Sequence, residues 1–516
     1  MHVAMDKEKL AKRFGIPIIE DILHYPFVKD RVHILPYSFV KLRMVLPLEK
    51  VEGILHLAIS DPTDLEGIKE VSFMLGIPVK EFFIDSFRLQ KAIEHCYRQR
   101  DSETSRYLEE LSTDDRLPDQ MEYDLLETNN LSPVIRLLNM IIIEAIQQRA
   151  SDIHFEPREE GLIVRYRIDG VLQKRHTPSR EYQKQLLTRL KVMAKLDIAE
   201  QRLPQDGRIK LRFGEQEIDF RVSTIPVING ERIVLRILDK SNVVVGLASI
   251  GMSVEVLETF RKLIKQTQGI ILVTGPTGSG KTTTLYSAIS EINSEDFNII
   301  TIEDPVEYKL SGIAQISINP KISFTFAKGL RHILRQDPDI IMIGEIRDRE
   351  TADIAIQASL TGHLVLSTLH TNSAASALTR LVDMGIESYL LSSSVIGIIA
   401  QRLVRKICVH CRVEYLPSQE ECLELGCSWN EKLVFYKGSG CTNCFHLGYH
   451  GRIGIYEFLL ITNSIQQQLT KNADATSLQK LAEEQGMQTL RKSGVQLVLK
   501  GHTSVAEVLR VTRTFE

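Results

Sequence analysis

The stretch Gly275-Pro276-Thr277-Gly278-Ser279-Gly280-Lys281-Thr282 fits the pattern G-x-x-x-x-G-K-[ST]. Before it, Ile270-Ile271-Leu272-Val273 is an apolar run of strand length; after it, Thr283–Ile292 has helical character. Strand, glycine-rich loop and helix in that order form a cradle for phosphate. Gly275, Gly278 and Gly280 let the backbone wrap and turn its N–H groups toward phosphate oxygens. The helix N-terminus adds the positive end of a dipole. On this reading Lys281 meets the β- and γ-phosphates of ATP and Thr282 ligates Mg²⁺. A glycine-rich turn matching by chance would not carry both a buried strand and a helix with it.

Around the cradle, residues 241–400 alternate strand and helix, the rhythm of a mostly parallel sheet and a RecA-like α/β core. A cradle alone binds nucleotide, and hydrolysis needs acids. Ile300-Thr301-Ile302-Glu303-Asp304-Pro305 is a strand ending in acids, and Ile340-Ile341-Met342-Ile343-Gly344-Glu345 is another. Ligands of open α/β sheets sit beyond the carboxyl ends of the strands. Glu345 is at that end, whereas Asp337 and Asp339 lie at the opposite end, on the order of 20 Å away. Glu345 therefore takes the magnesium-side role. Glu303 is expected to position or activate the attacking water. A helix cap or turn acid is the alternative for Glu303; its place at a strand end favours the functional role. Leu364-Val365-Leu366-Ser367 is a third strand, bracketed by His363 and His370, and periodicity alone makes both histidines ordinary structural groups.

The chain has 516 residues, so about three or four domains are expected. Hydrophobic residues are 43%, charged residues 25% and the net charge −3, a globular balance that points to neither nucleic acid nor an anionic membrane. Met1–Leu10 has no apolar segment of signal-peptide type, and no apolar run approaches a membrane span. A cytoplasmic protein is expected, peripheral to a membrane only through partners.

Residues 1–100 mix short strands and helices, with Ile54–Ile59 alternating like a strand and Asp61-Pro62-Thr63-Asp64 supplying turn and cap chemistry. Residues 101–130 hold ten acids against two arginines, which predicts a flexible acidic linker or, alternatively, a solvated helix face. Residues 131–240 form an α+β domain. Ser132-Pro133 starts a helix whose apolar stripe is Val134, Leu137, Leu138, Ile141, Ile142 and Ala145. Strands are expected at Ile153–Phe155, Leu162–Ile168, Glu217–Val222 and Arg232–Ile237, with a helix over Tyr182–Lys195. Residues 401–456 carry cysteine pairs, and 457–516 read as a helical tail.

Cys408-Val409-His410-Cys411 and Cys441-Thr442-Asn443-Cys444 make two knuckles, enough to hold a structural Zn²⁺ in a closed tetrahedron. The 29 residues between them exceed common ribbon spacing, but loop-closure entropy grows slowly. Free thiols and a redox pair are the alternatives, although a redox pair would want a thioredoxin-like setting. Cys422 and Cys427 lie inside the loop as competing ligands, and Cys96 is a small packed residue.

Gly275–Thr282, Thr301–Glu307 (TIEDPVE), Gly344–Asp348 (GEIRD) and Gly362–Asn372 (GHLVLSTLHTN) together resemble the secretion ATPases of type II secretion and type IV pilus systems. There these are the Walker A motif, Asp box, Walker B motif and His box. Upstream, Ala150–Pro157, Pro204–Arg208 and Phe220–Pro226 extend the resemblance over most of the chain. It implies a PAS-like upstream domain and a homo-hexamer, with nucleotide at the seam between that domain and the ATPase core. Carried over by motif, Glu303 is the catalytic acid, Glu345 the Walker B acid that holds Mg²⁺ with Thr282, and His363 and His370 line the site. Arginines of the upstream domain reach the phosphates; Arg208 and Arg221 match best and Arg236 less well, each with a surface ion pair as alternative. The resemblance also supports the zinc.

Leu35-Pro36, Leu46-Pro47-Leu48 and Ile59-Ser60-Asp61-Pro62 make residues 1–100 similar to the N-terminal domain of the general secretion pathway protein E family. No repeated leucine-glycine motif of the kind many pilus-extension ATPases use for a cyclic dinucleotide is evident. The resemblance thus implies a hexameric motor coupling ATP hydrolysis to pseudopilus assembly and protein export. Its N-terminal domain would dock on cytoplasmic domains of inner-membrane platform proteins. Pilus extension is the alternative. A nucleic-acid motor would want a basic patch with interleaved aromatics, which a near-neutral chain with one Trp does not offer. A scaffold without turnover would not need both Glu303 and Glu345.

Overall fold

Alternating and continuous apolar patterns build different sheets here, and they fall in separate units. The computed structural model describes residues 2–19, 22, 35, 37–51, 53–98, 132–213, 216–239, 245–471 and 474–513, and divides into Met1–Ser241 and Asn242–Glu516. The acidic stretch 101–130, expected as a linker, lies outside the described residues, as do Pro36 and Leu131.

In the first unit, β1 (Val45–Val51) pairs antiparallel with β2 (Ile54–Ile59), which pairs parallel with β3 (Val79–Phe83). A parallel neighbour needs a crossover, and the helix Leu65–Leu75 provides it. Asp64 caps that helix by accepting from the Gly67 amide, and Gly76, at φ 63°, ends it in the left-handed region.

The second sheet of this unit has six strands: β4 (Ala150–Arg158), β5 (Gly161–Ile168), β6 (Val171–His176), β7 (Gln205–Phe213), β8 (Gln216–Val227) and β9 (Gly230–Asp239). Their order is β6-β5-β4-β9-β8-β7, antiparallel throughout. Leu162, Val164, Tyr166 and Ile168 alternate inward along β5, the signature of a sheet with one covered face. The helices Pro133–Gln147 and Arg180–Met193 belong to this domain, and the whole apolar stripe expected from Val134 to Ala145 is buried. The Tyr166 hydroxyl donates to the Ile141 carbonyl at 2.8 Å.

The second unit is built on β10 (Gly269–Thr274), β11 (Ile299–Glu303), β12 (Ala314–Ser317), β13 (Ile340–Ile343), β14 (Leu364–Leu369), β15 (Val395–Ile407) and, after a small hairpin of β16 (Arg412–Tyr415) and β17 (Phe435–Gly438), β18 (Tyr449–Leu460). Seven of these form one sheet in the order β12-β11-β13-β14-β10-β15-β18, parallel except for the last pair. Ile270 and Leu272 face one core cluster while Ile271 and Val273 face another. Burial on both faces is why these strands read as unbroken apolar runs.

The expected boundary at residue 400 falls inside β15. That strand runs on to Ile407 and pairs with β18, so 401–407 and 449–456 are sheet rather than cysteine module. Polar Gln401-Arg402 and Arg405-Lys406 break the apolar run and mask its continuation. The module is instead an insertion between β15 and β18. The expected helical tail is present as the helices Asn463–Lys471, Ala475–Glu484, Leu490–Leu499 and Val505–Thr512, and it packs into the sheet's core through Ile465, Leu478, Val498 and Val508.

Ile341 is fully buried at the centre of β13. Ile341→Ala is expected to cost about 2–5 kcal/mol, read as a lower denaturation midpoint in the fluorescence of Trp429, the single tryptophan.

Candidate functional site

Parallel pairing brings the carboxyl ends of β10, β11, β13 and β14 to one edge: Thr274 pairs with Leu369, Ile343 with Ser367, and Ile302 with Ile343. The glycine-rich loop leaves β10 at that edge. A Cβ on Gly275 would lie 2.5 Å from the Gln401 carbonyl, so the loop can pass only without one. Gly280, at φ 87°, starts the helix Lys281–Ile292 in the left-handed region. Thr282 is exposed on its first turn. Lys281 is buried and folds back on its own loop, donating to the carbonyls of Gly275 at 2.8 Å and Pro276 at 3.2 Å. Burial pushes its amine down to about 8, against the pull of Glu345 and with a further push from Arg402. The Ser279 hydroxyl is buried in the loop without a hydrogen-bond partner. A lysine bonded to loop carbonyls and an unpaired hydroxyl are donors that a phosphate would satisfy.

Glu345 stands just past β13. Its Oε1 is paired with Arg347, and its Oε2 is 3.2 Å from His370 Nε2. Arg347 also reaches Asp304 at 3.7 Å. The Thr274 hydroxyl holds the His370 segment against the cradle strand, 2.7 Å from the Thr371 hydroxyl and accepting from the Thr371 amide at 2.9 Å. Lys281, Glu345 and His370 therefore meet at one edge.

Glu303 ends β11 but is enclosed. The Thr301 hydroxyl donates to it at 2.6 Å, the Tyr286 hydroxyl donates to its other oxygen, and Gln315 Nε2 lies at 3.3 Å. Burial raises its pKa despite those donors. Tyr286 is on the helix that Lys281 begins, so Glu303 is tied to the buried side of that helix. A carboxyl held toward neutrality is a stronger base once ionised than a solvated one.

His363 needs correction. It precedes β14, accepts from the Gly269 amide at the start of β10, and its Nδ1 lies 2.8 Å from the Ala358 carbonyl. That is the amino edge, about 20 Å from the cradle at the rise of a strand, and there it closes the helix Arg349–Leu360. Motif adjacency put both histidines at the site, but they bracket a strand and so occupy opposite edges. Asp339 is also at the amino edge, accepting from the Asn298 amide at 2.7 Å.

Two residues at the site escaped sequence reading. Gln401 is buried under the cradle, where its Oε1 accepts from Thr284 at 2.7 Å. Arg402 donates to Asn372 Oδ1 at 3.0 Å. A polar pair interrupting an apolar strand beside the cradle strand was the available signal.

In the first unit, Arg208 faces Arg221 across β7 and β8, and Arg221 faces Arg236 across β8 and β9. They line a cleft of about 520 Å³ together with Asp206 and Ser223. Arg236 is paired with Asp152 at 3.0 Å, whereas no ion pair engages Arg208 or Arg221 among the described residues. Directly opposed like charges destabilise a ladder, which an anion would relieve.

The sulfurs of Cys408, Cys411, Cys441 and Cys444 lie within 4.8 Å of one another. Cys408–Cys441, Cys411–Cys444 and Cys441–Cys444 are 3.9, 3.8 and 3.7 Å apart. A zinc tetrahedron with Zn–S of about 2.3 Å puts sulfurs about 3.8 Å apart. The Cys441 and Gly448 amides both donate to the Cys444 sulfur at 3.2 Å, as suits a thiolate. Cys422 and Cys427 are outside this cluster.

A mostly parallel sheet with a glycine-rich cradle and acids on its carboxyl edge defines a P-loop ATPase. The family model for "Type II/IV secretion system protein" matches residues 127–510, and that for "MshEN domain" matches residues 14–103. The chain is 44% identical to the type II secretion system ATPase E of Vibrio cholerae over 497 residues, 95% of this chain and 98% of that one. It is 47% identical to the type II secretion system protein E of Pseudomonas aeruginosa over 488 residues, 93% and 96% of the two chains. The ATPase DotB of Legionella pneumophila is similar in fold, with a TM-score of 0.54 and 22% identity over 76% of this chain and 97% of that one. The chain belongs to the type II secretion system protein E family.

The low pKa of Lys281 sets a pH window. The charged amine, which phosphate needs, is present below about 8 and lost above it. Affinity for ADP should therefore be flat from pH 6.5 to 7.5 and fall as pH rises toward 9, measured by equilibrium titration.

Proposed function

We propose that this chain is the cytoplasmic motor of a type II secretion system, hydrolysing ATP to drive pseudopilus assembly and protein export. The meeting of Lys281, Glu345 and His370 on the edge that carries the glycine-rich loop is the observation that carries this reading. Lys281 would leave the Gly275 and Pro276 carbonyls for the β- and γ-phosphates. Thr282 and Glu345 would hold Mg²⁺, which would supply positive charge to offset that of the phosphates. His370, beside Glu345, would orient that carboxylate. Glu303 would take the proton of the attacking water, a role that its burial-raised basicity supports and that requires Tyr286 or Thr301 to yield its place.

Arg208 and Arg221 would supply cationic charge from the first unit, within a homo-hexamer in which neighbouring domains complete each site. Residues 1–100 would dock on cytoplasmic domains of inner-membrane platform proteins. No helix among the described residues is long and apolar enough to cross a membrane. The cysteine cluster would hold one structural Zn²⁺.

Steady-state ATPase assays test the site. Lys281→Ala should abolish hydrolysis, and activity surviving it would sink the assignment. Glu303→Gln should keep nucleotide binding and lower turnover by about 10²-fold or more; wild-type turnover in that variant would leave Glu303 a structural acid. Metal analysis of the purified chain should find zinc that Cys408→Ser or Cys444→Ser removes.

A further inference from the structure

Arg402 lies next to the cradle. Thr274 pairs with Ala400, so the next residues of β15 run beside Gly275 and Pro276. Successive side chains of a strand take opposite faces. Gln401 turns under the cradle helix to Thr284, and Arg402 turns the other way to Asn372, two residues past His370. A guanidinium has five N–H donors. Nη2 of Arg402 is used by Asn372, while Nη1 is buried with no hydrogen-bond partner. A buried donor without an acceptor is costly. Burial also lowers the pKa of Arg402, and its charge works against that of Lys281. Glu345, the carboxylate that favours the charged Lys281, is already shared by Arg347 and His370. This edge thus holds more cation than anion, with one donor buried and unused.

We propose that Arg402 is a phosphate-binding residue that takes the terminal phosphate of ATP through Nη1, from the same chain as Lys281. The proposal rests on reading Gly275–Thr282 as an ATP site. The planar fork suits phosphate and leaves Nη2 free to keep Asn372. The terminal phosphate is the one addressed, because Arg402 shares the neighbourhood of Lys281 with Glu345, on the magnesium side, and because its partner Asn372 continues the segment of His370. Through Asn372, the same arginine links that phosphate to the segment carrying His370.

Equilibrium binding of fluorescent ADP and of a non-hydrolysable ATP analogue, each with Mg²⁺, to the full-length chain tests this. Arg402→Gln should weaken the ATP analogue about tenfold or more and leave ADP within about twofold. Arg402→Lys, which keeps the charge but not the fork, should show a smaller loss of the same selectivity. Equal losses for both nucleotides in Arg402→Gln, or no loss for either, would overturn the proposal while wild type still binds both. Should Arg402→Gln not fold, Arg402→Lys decides: selective loss of the analogue supports the proposal, and wild-type binding overturns it. Failure of the wild-type chain to bind either nucleotide would instead overturn the ATP-site reading beneath it.

Discussion

The parallel pairing of β10, β11, β13 and β14 is the constraint on which this molecule's chemistry depends. Parallel strands need crossovers, crossovers cover both faces, and the only open ground is at the strand ends. Residues distant in sequence are delivered there by the same geometry. The cradle, Glu345 and the His370 segment share one edge, and the Thr274 hydroxyl ties the first to the last. The Gln401 backbone carbonyl and the Ser279 side chain crowd the loop, which is why Gly275 tolerates no side chain.

Charge at that edge is unbalanced. Lys281 is buried against carbonyls, Arg402 keeps an unused donor, and in the first unit Arg208 and Arg221 oppose each other across a ladder. Each arrangement costs free energy that a bound anion would relieve. The two acids are treated differently: Glu345 is paired with Arg347 and lies beside His370, whereas Glu303 is held by neutral hydroxyls and an amide. Burial raises the pKa of Glu303 despite those donors, and the charge of Glu307 adds to the rise.

The cysteine module rides on the same sheet. Because β15 and β18 are long antiparallel partners, Cys408 begins directly after one and Cys444 ends shortly before the other. The residues between the knuckles are not idle loop: Cys422, Leu425 and Phe435 are buried in the sheet's own core cluster. A Cβ on Gly438 would lie 2.0 Å from the Gly448 carbonyl, so two backbones pass in contact where the knuckles close. That packing lets the long spacing between the cysteine pairs still produce one compact cluster.

Much of this was legible in the linear chain. Gly275–Thr282, the strand before it and the acids ending two later strands are local patterns, and local patterns survive without tertiary context. The helix from Ser132-Pro133 and its buried stripe were legible for the same reason. Three features were not. His363 and His370 look equivalent beside one strand, yet a strand has two ends, and only the sheet decides which end faces the cradle. The run of β15 past residue 400 is hidden by Gln401 and Arg402, a buried and a half-buried polar residue beside the cradle loop. The packing of the C-terminal helices on the sheet core depends on contacts between segments distant in sequence, such as Val505–Thr512 against β15. Sequence alone determined the glycine-rich loop, the strand-end acids and the two cysteine pairs, because each is written in residue type and short spacing. Tertiary structure alone decided which side chains share the cradle's edge, because pairing register and strand direction place them there.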